Sequence, residues 1–265
     1  NIGLGNERVL GMKLKQGLEA IELEVAMFGS TDDLDNLHYI VNGVAQNWDH
    51  VPKKVKEDIA KGWYHGGKLK RDDYDRGNKD KTLQHFVNHP SARLANLSVC
   101  HVVAVRLYTT SSYPLFNGPL RKGQCPHPLQ MCVYYLDQAL RQLRSVGAES
   151  DDFIEEVLLY RGMMDMALAD VNAFLKKGGV ERAPMSTTTD RATALKYAKS
   201  QVPLMFKYRA RAMAKGVSIR FLSVYPGEEE FLYPPFTFLL PCGAPTEEVM
   251  DGMKLTMVEI KPSFS

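Results

Sequence analysis

The chain has 265 residues, 45% of them hydrophobic and 24% charged, with a formal net charge of +2 at pH 7. These are the values of an ordinary soluble globular protein, with length for one large domain or two small lobes. So small a net charge gives no global electrostatic case for nucleic acid or a membrane surface, and no apolar run is long enough to cross a bilayer.

The opening residues, NIGLGNERVLGMK, have no apolar stretch ahead of a small-residue cleavage site, so they do not read as a signal peptide, and no compartment is assigned from them. Leu10, Leu14, Leu18, Ile21, Val25 and Phe28 then recur at three- and four-residue steps, the stripe of an amphipathic helix. Ser30 or Thr31 can cap a second helix, with Asp32 and Asp33 in its first turn and Leu34, Leu37, Ile40 and Val41 as its buried face. Val51 to Trp63 predicts a third, charged helix, and YHGGKLKRDDYDRGNKDK a polar loop. Thr82 to Tyr108 reads as shorter helices separated near HPSA. The run VCHVVAVRLY is taken as helix, although its β-branched content would also suit a strand. TTSSYPLFNGPLRKGQCPHP is dense in turn residues. After it, Leu129, Cys132, Val133, Leu136, Leu140 and Leu143 make the cleanest helical stripe, stopped by Gly147.

Beyond about Ser145 to Asp152 the pattern changes. FIEEVLLYRG, PLMFKYRA, VSIRFLSV, EFLYPP, FTFLL and KLTMVEIKP predict short strands, interrupted by helices from Asp165 to Leu175 and from Arg191 to Ser200. The layout is α+β: helices first, then a mostly antiparallel sheet. The four cysteines, Cys100, Cys125, Cys132 and Cys242, form no C-x-x-C pair and read as free thiols rather than a zinc site. His85 and His89 share a helix face at i, i+4, but no further ligands or H-E-x-x-H pattern surround them, so no metal is expected.

Three segments carry candidate chemistry. In YPGEEEFLYPP, strand alternation would put Glu228 and Glu230 on one face and Glu229 on the other. Taken alone, the triplet reads first as a solvated turn. LLYRG ends an apolar strand with Arg161 and Gly162, where a guanidinium fork can hold a phosphate or carboxylate, or simply make a surface ion pair. In APMSTTTDRATALKYA, an N-cap at Thr189 or Asp190 accounts for one hydroxyl of the cluster and leaves Ser186, Thr187 and Thr188 without a role.

In this order, Arg161 after an apolar strand, Ser186-Thr187-Thr188 ahead of a helix, and Glu228-x-Glu230 opening a later strand resemble the R–S–E class of mono-ADP-ribosyltransferases. That class includes bacterial binary-toxin enzymes and vertebrate arginine-modifying ecto-enzymes. Upstream, YTTSSYPLFNGPLR resembles the family's tyrosine–asparagine–LR segment, here Tyr108, Tyr113, Asn117, Leu120 and Arg121. The resemblance runs from about Tyr108 onward, with S-T-T in place of the usual S-T-S. It implies a helical lobe over residues 1–107 and a split-sheet catalytic core over 108–265, forming one compact unit.

The resemblance also implies a reaction, in which NAD is the substrate and ADP-ribose passes from nicotinamide to an acceptor through an oxocarbenium-like transition state. Glu230 would stabilise the ribose charge, and Glu228 would meet the acceptor, a protein with an exposed arginine. Arg161 would grip the diphosphate, Gly162 would let the backbone approach the nicotinamide amide, and Ser186 would orient Glu230 and the ribose. Thr187, Asn117 and Arg121 complete the cofactor-binding set, with Thr187 and Thr188 chiefly structural. Tyr225, expected exposed in the turn before the glutamates, would contact the acceptor or else form a plain Tyr-Pro-Gly turn. An NAD glycohydrolase and a non-catalytic module of the same fold stay open; a nucleic-acid acceptor is disfavoured by glutamate rather than glutamine at 228.

Overall fold

The structure, a computed structural model, describes residues 17–42, 51–61, 74–78, 81–147, 154–164 and 168–264. Leu10, Leu14, Trp63 and most of the polar loop after it, as well as Asp165, lie outside the described residues. Helices come first: α1 (Leu18–Phe28), α2 (Thr31–Asn42), α3 (Lys53–Ala60), α4 (Leu83–Val87), α5 (Pro90–Leu94), α6 (Val99–Tyr108), α7 (Tyr113–Lys122) and α8 (Gln130–Gly147).

Local chemistry explains the helix starts. Ser30 caps α2: its Oγ accepts from the Asp33 amide at 3.3 Å and the Asp33 carboxylate accepts the Ser30 amide at 2.8 Å. The α8 N-terminus is capped from a distance, by Glu24 of α1, whose two oxygens accept the Met131 and Cys132 amides at 2.7 and 3.0 Å. The β-branched run in α6 is helical because every residue from His101 to Tyr108 is buried, so the helix carries no polar face. It packs against α2, α4 and α8. The stripe on α8 is buried as expected, whereas Phe28 is half exposed.

The turn-rich stretch 113–122 is a helix and not a loop. Pro114 sits in its first turn, where a missing amide costs nothing, and Gly123 ends it with a left-handed φ of 67°.

The second half gives β1 (Val157–Met163), α9 (Leu168–Lys177), β2 (Gly179–Glu181), β3 (Met185–Thr188), α10 (Arg191–Ala198), β4 (Leu204–Ala210), β5 (Val217–Ser218), β6 (Glu230–Tyr233), β7 (Thr237–Pro241), β8 (Thr246–Met250) and β9 (Met253–Ser263). Strand order is β2-β7-β9-β4-β1-β3-β6-β5, with β8 on β9; only the β4–β9 pair is parallel. The short strands β2 and β8 were not anticipated. VSIRFLSV yields only the two residues of β5, and residues 219–225 run on as an irregular loop.

That loop belongs to the helical core. Ile219, Leu222, Val224 and Tyr225 pack in one apolar cluster with residues of α1, α2, α6 and α8. A buried ion pair fixes it: Arg106 of α6 donates to Asp75 at 2.6 Å and to the Leu222 carbonyl at 3.0 Å. The Asp75 amide donates to the Val224 carbonyl at 2.7 Å, and the Val224 amide to Thr109 Oγ1 at 3.1 Å.

On the sheet side, α10 lies against β1 at Gly162. A Cβ there would stand 2.2 Å from the Ala194 carbonyl oxygen and 2.5 Å from the Ala198 nitrogen.

Two stability outcomes are expected. Arg106→Leu leaves Asp75 buried without its cation, and denaturant unfolding should show a loss of about 3–5 kcal/mol. Gly162→Ala must push helix from strand, costing about 1–3 kcal/mol and lowering Tm by several degrees in calorimetry.

Candidate active site

The site lies where the sheet nearly parts. β1 and β3 share one registered pair, Tyr160 with Thr188, and Thr188 in turn pairs with Glu230 on β6. A longer ladder would have set Gly162 opposite Ser186. Instead Arg161 Nη1 donates to the Ser186 carbonyl at 2.7 Å, supplying the hydrogen bond that the ladder does not. Arg161 and Ser186 therefore meet at the opening, with Ser186 two residue pairs along the ladder from Thr188 and Glu230.

The three glutamates do not form a strand start. Pro226–Glu228 is a 3₁₀ turn, Glu229 takes a left-handed φ of 47°, and β6 begins at Glu230. The left-handed residue separates the charges: Glu229 accepts from Thr189 Oγ1 at 2.6 Å and faces Arg220 at 3.4 Å. The Glu230 charge still reaches Glu228, but a turn and not strand alternation sets where the two carboxyl groups lie. Thr188 Oγ1 donates to the Glu228 carbonyl at 2.5 Å, tying the turn to β3.

Glu230 is buried at 7% exposure. Burial raises its pKa, while hydrogen bonds from Ser186 and Ser223 and the charge of Arg161 pull it back. Glu228 is pushed up to about 7, first by burial and then by the Glu230 charge, against a hydrogen bond from Tyr197. The Tyr197 hydroxyl donates to its Oε1 at 2.9 Å. Two carboxyl groups at such a site can hold different protonation states near neutral pH.

The upstream segment joins the same place. Tyr108 ends α6 with its hydroxyl donating to the Pro184 carbonyl at 3.0 Å and accepting from Asn117 Nδ2 at 3.2 Å. Burial pushes its phenol up, and it feels Glu230, Arg161 and Arg121 together. Arg121 holds both oxygens of Glu181 at 3.1 Å, and Arg161 Nη2 lies 4.0 Å from the same carboxylate. Thr187, on the opposite face of β3, donates to the Phe231 carbonyl at 2.9 Å.

One expectation changes, and another gains a packing reason. Tyr225 is buried at 5% exposure, its ring edge-on to Tyr74 at 5.4 Å, because its loop is part of the helical core. The absence of a side chain at Gly162 is accounted for by α10, whose backbone occupies the space.

The sequence reasoning missed Ser223, Tyr197 and Glu181. Ser223 lay within VSIRFLSV, expected as a strand, and nothing local marks it as a partner of a residue seven positions on. Tyr197 and Glu181 meet their partners only through tertiary packing.

His85 and His89 serve as helix caps: His85 Nδ1 accepts the Thr82 amide at 2.9 Å, and His89 Nδ1 the Ser91 amide at 3.2 Å. Among the described residues no group of three or more His, Cys, Asp or Glu is placed to hold a metal, all four cysteines are free, and no helix is long and apolar enough to cross a membrane.

Comparison with solved structures finds the same fold at low identity. Plx2a, an ADP-ribosyltransferase toxin from Paenibacillus larvae, is similar with TM-score 0.53 and 18% identity, over 69% of this chain and 95% of its own. The ADP-ribosyltransferase HopU1 of Pseudomonas syringae pv. Tomato DC3000 is similar with TM-score 0.53 and 17% identity, over 87% of this chain and 97% of its own. Comparison with curated proteins gave no match. Over residues 51–259 the sequence matches the family described as NAD:arginine ADP-ribosyltransferase, a span that takes in α3 through most of β9 and every site residue above. The chain therefore belongs to the NAD:arginine ADP-ribosyltransferase family.

Proposed function

We propose that this protein transfers ADP-ribose from NAD to the guanidinium of a protein arginine, with Glu230 acting at the ribose and Glu228 at the acceptor. Family membership gives the donor and the group transferred. The observation that carries the arginine acceptor is a second carboxyl, half-buried in the 3₁₀ turn: Glu228 is within electrostatic reach of Glu230, held by Tyr197 and free of any ion pair among the described residues. A carboxylate so placed matches a planar cationic guanidinium in charge and shape.

The residues at the opening fit a dinucleotide. Arg161 Nε and Asn117 Oδ1 are buried and have no hydrogen-bond partner among the described residues. An orphan donor on β1 and an orphan acceptor on α7 suit a ligand that offers both. Arg161 and Arg121 would hold the diphosphate, while Ser186 and Asn117 would face the nicotinamide-side ribose. NAD supplies the bond that breaks, between nicotinamide and ribose. Glu230, fixed by Ser186 and Ser223, places a negative charge beside the ribose as positive charge develops there. Glu228 polarises the acceptor guanidinium, and its carboxylate takes up the proton as the new bond forms, since a free guanidinium does not lose a proton near neutral pH. Tyr225 is too enclosed to offer its ring to an acceptor without movement of the loop, so acceptor contact falls to Glu228 and the exposed Gly227.

Glu230→Gln should reduce both nicotinamide release and arginine labelling by roughly 10²–10³-fold. Glu228→Gln should keep nicotinamide release and lose arginine labelling; retention of arginine labelling in both variants, read by mass spectrometry of a modified acceptor, would sink the proposal. The pH dependence has a defined sign. Below about pH 7 Glu228 is protonated and neutral, and above it is the carboxylate that a cation requires. The ratio of arginine transfer to NAD hydrolysis should therefore rise with pH through about 7 and level off above; a flat ratio between pH 5.5 and 8.5 contradicts the role given to Glu228.

A further inference from the structure

Two arginines from different elements converge on one carboxylate of the chain itself. Arg121 on α7 grips Glu181 through Nε and Nη2, each 3.1 Å from a different oxygen. Arg161 on β1 approaches the same group from the other side at 4.0 Å, with its Nε still unfilled. The carboxylate is well enclosed, its side chain 14% exposed, and Oε1 also accepts the Ala183 amide at 3.1 Å. The fork contact that Arg121 makes is the one by which a guanidinium holds a phosphate oxygen pair.

We propose that Glu181 is a built-in counter-ion of the dinucleotide clamp, occupying in the free protein the place that the NAD diphosphate takes, and that NAD binds by displacing it. The proposal rests on the assignment of Arg161 and Arg121 to the diphosphate.

Charge balance favours exchange over coexistence. Two guanidinium groups less one carboxylate leave a single net positive charge, facing a diphosphate that carries two negative ones. With Glu181 turned out, the clamp and the diphosphate neutralise each other. Its position allows this. β2 is a three-residue strand at the edge of the sheet, paired only with β7, and Glu181 is its last residue. A rotamer change there leaves the Arg161–Ser186 bond and the central ladder intact. In the free protein the carboxylate keeps two like charges from facing each other across the opening, so the clamp is held assembled before the ligand arrives.

The test is calorimetric titration of wild-type protein and Glu181→Gln with NAD and, separately, with inorganic pyrophosphate. Glutamine keeps the shape and removes the charge, and loss of a partly exposed ion pair should leave folding nearly unchanged, which thermal unfolding verifies. The variant is expected to bind both ligands roughly five- to tenfold more tightly, with the gain shrinking as salt is raised. Equal or weaker binding of NAD and pyrophosphate by the variant overturns the proposal and makes Glu181 a residue that positions the arginines. If pyrophosphate fails to compete with NAD in either protein, the diphosphate assignment falls, and the proposal with it.

Discussion

A carboxylate largely withdrawn from water is the constraint on which this structure turns. Burying Glu230 is costly unless donors and cations compensate it, and here they come from three separate parts of the chain. Ser186 approaches from β3, Arg161 from β1 across the opening of the sheet, and Ser223 from the irregular loop. None is close to Glu230 in sequence apart from Ser223. The carboxyl is therefore correctly held only when the sheet, the loop and the helices that grip the loop are all in place.

Residues of the helical core thus help to place Glu230 without touching it. Arg106 and Asp75 fix the backbone on either side of Ser223, through the carbonyls of Leu222 and Val224. The loop in which an exposed aromatic was expected is packed from below by α6 and α8, and Tyr225 is turned inward onto Tyr74. What remains at the surface is the short 3₁₀ turn that carries Glu228, with Glu229 strained into the left-handed region and anchored to Thr189 and Arg220.

Much of this was legible in the sequence. Periodicity located α2 and α8 closely because their apolar stripes face a core directly, and the order of arginine, hydroxyl cluster and glutamates pointed to the family. The failures have physical causes. Stretch 113–122 hid a helix because its prolines and glycine weigh toward turns locally, while burial of Phe116 and Asn117 decides the outcome. Strand alternation was the wrong device for Glu228 and Glu230, since one left-handed residue replaces it. Gly162 was read for its freedom of approach to a ligand, and the backbone of a neighbouring helix also needs that room, a second reason that no local pattern announces. Glu181, Tyr197 and Ser223 are common residue types whose importance comes only from the partners that folding brings to them.

The placement of β9 in the middle of the sheet has a bearing on how the protein is made. Residues 253–263 pair with β4, β7 and β8 together. A nascent chain that has not yet yielded this segment leaves β4 and β7 with open edges, and supports Arg161 on a strand whose neighbour is bound on one side only. The support of the strands around Arg161 thus depends on residues that follow every candidate site residue in the chain, and a product cut short before residue 253 would lack it.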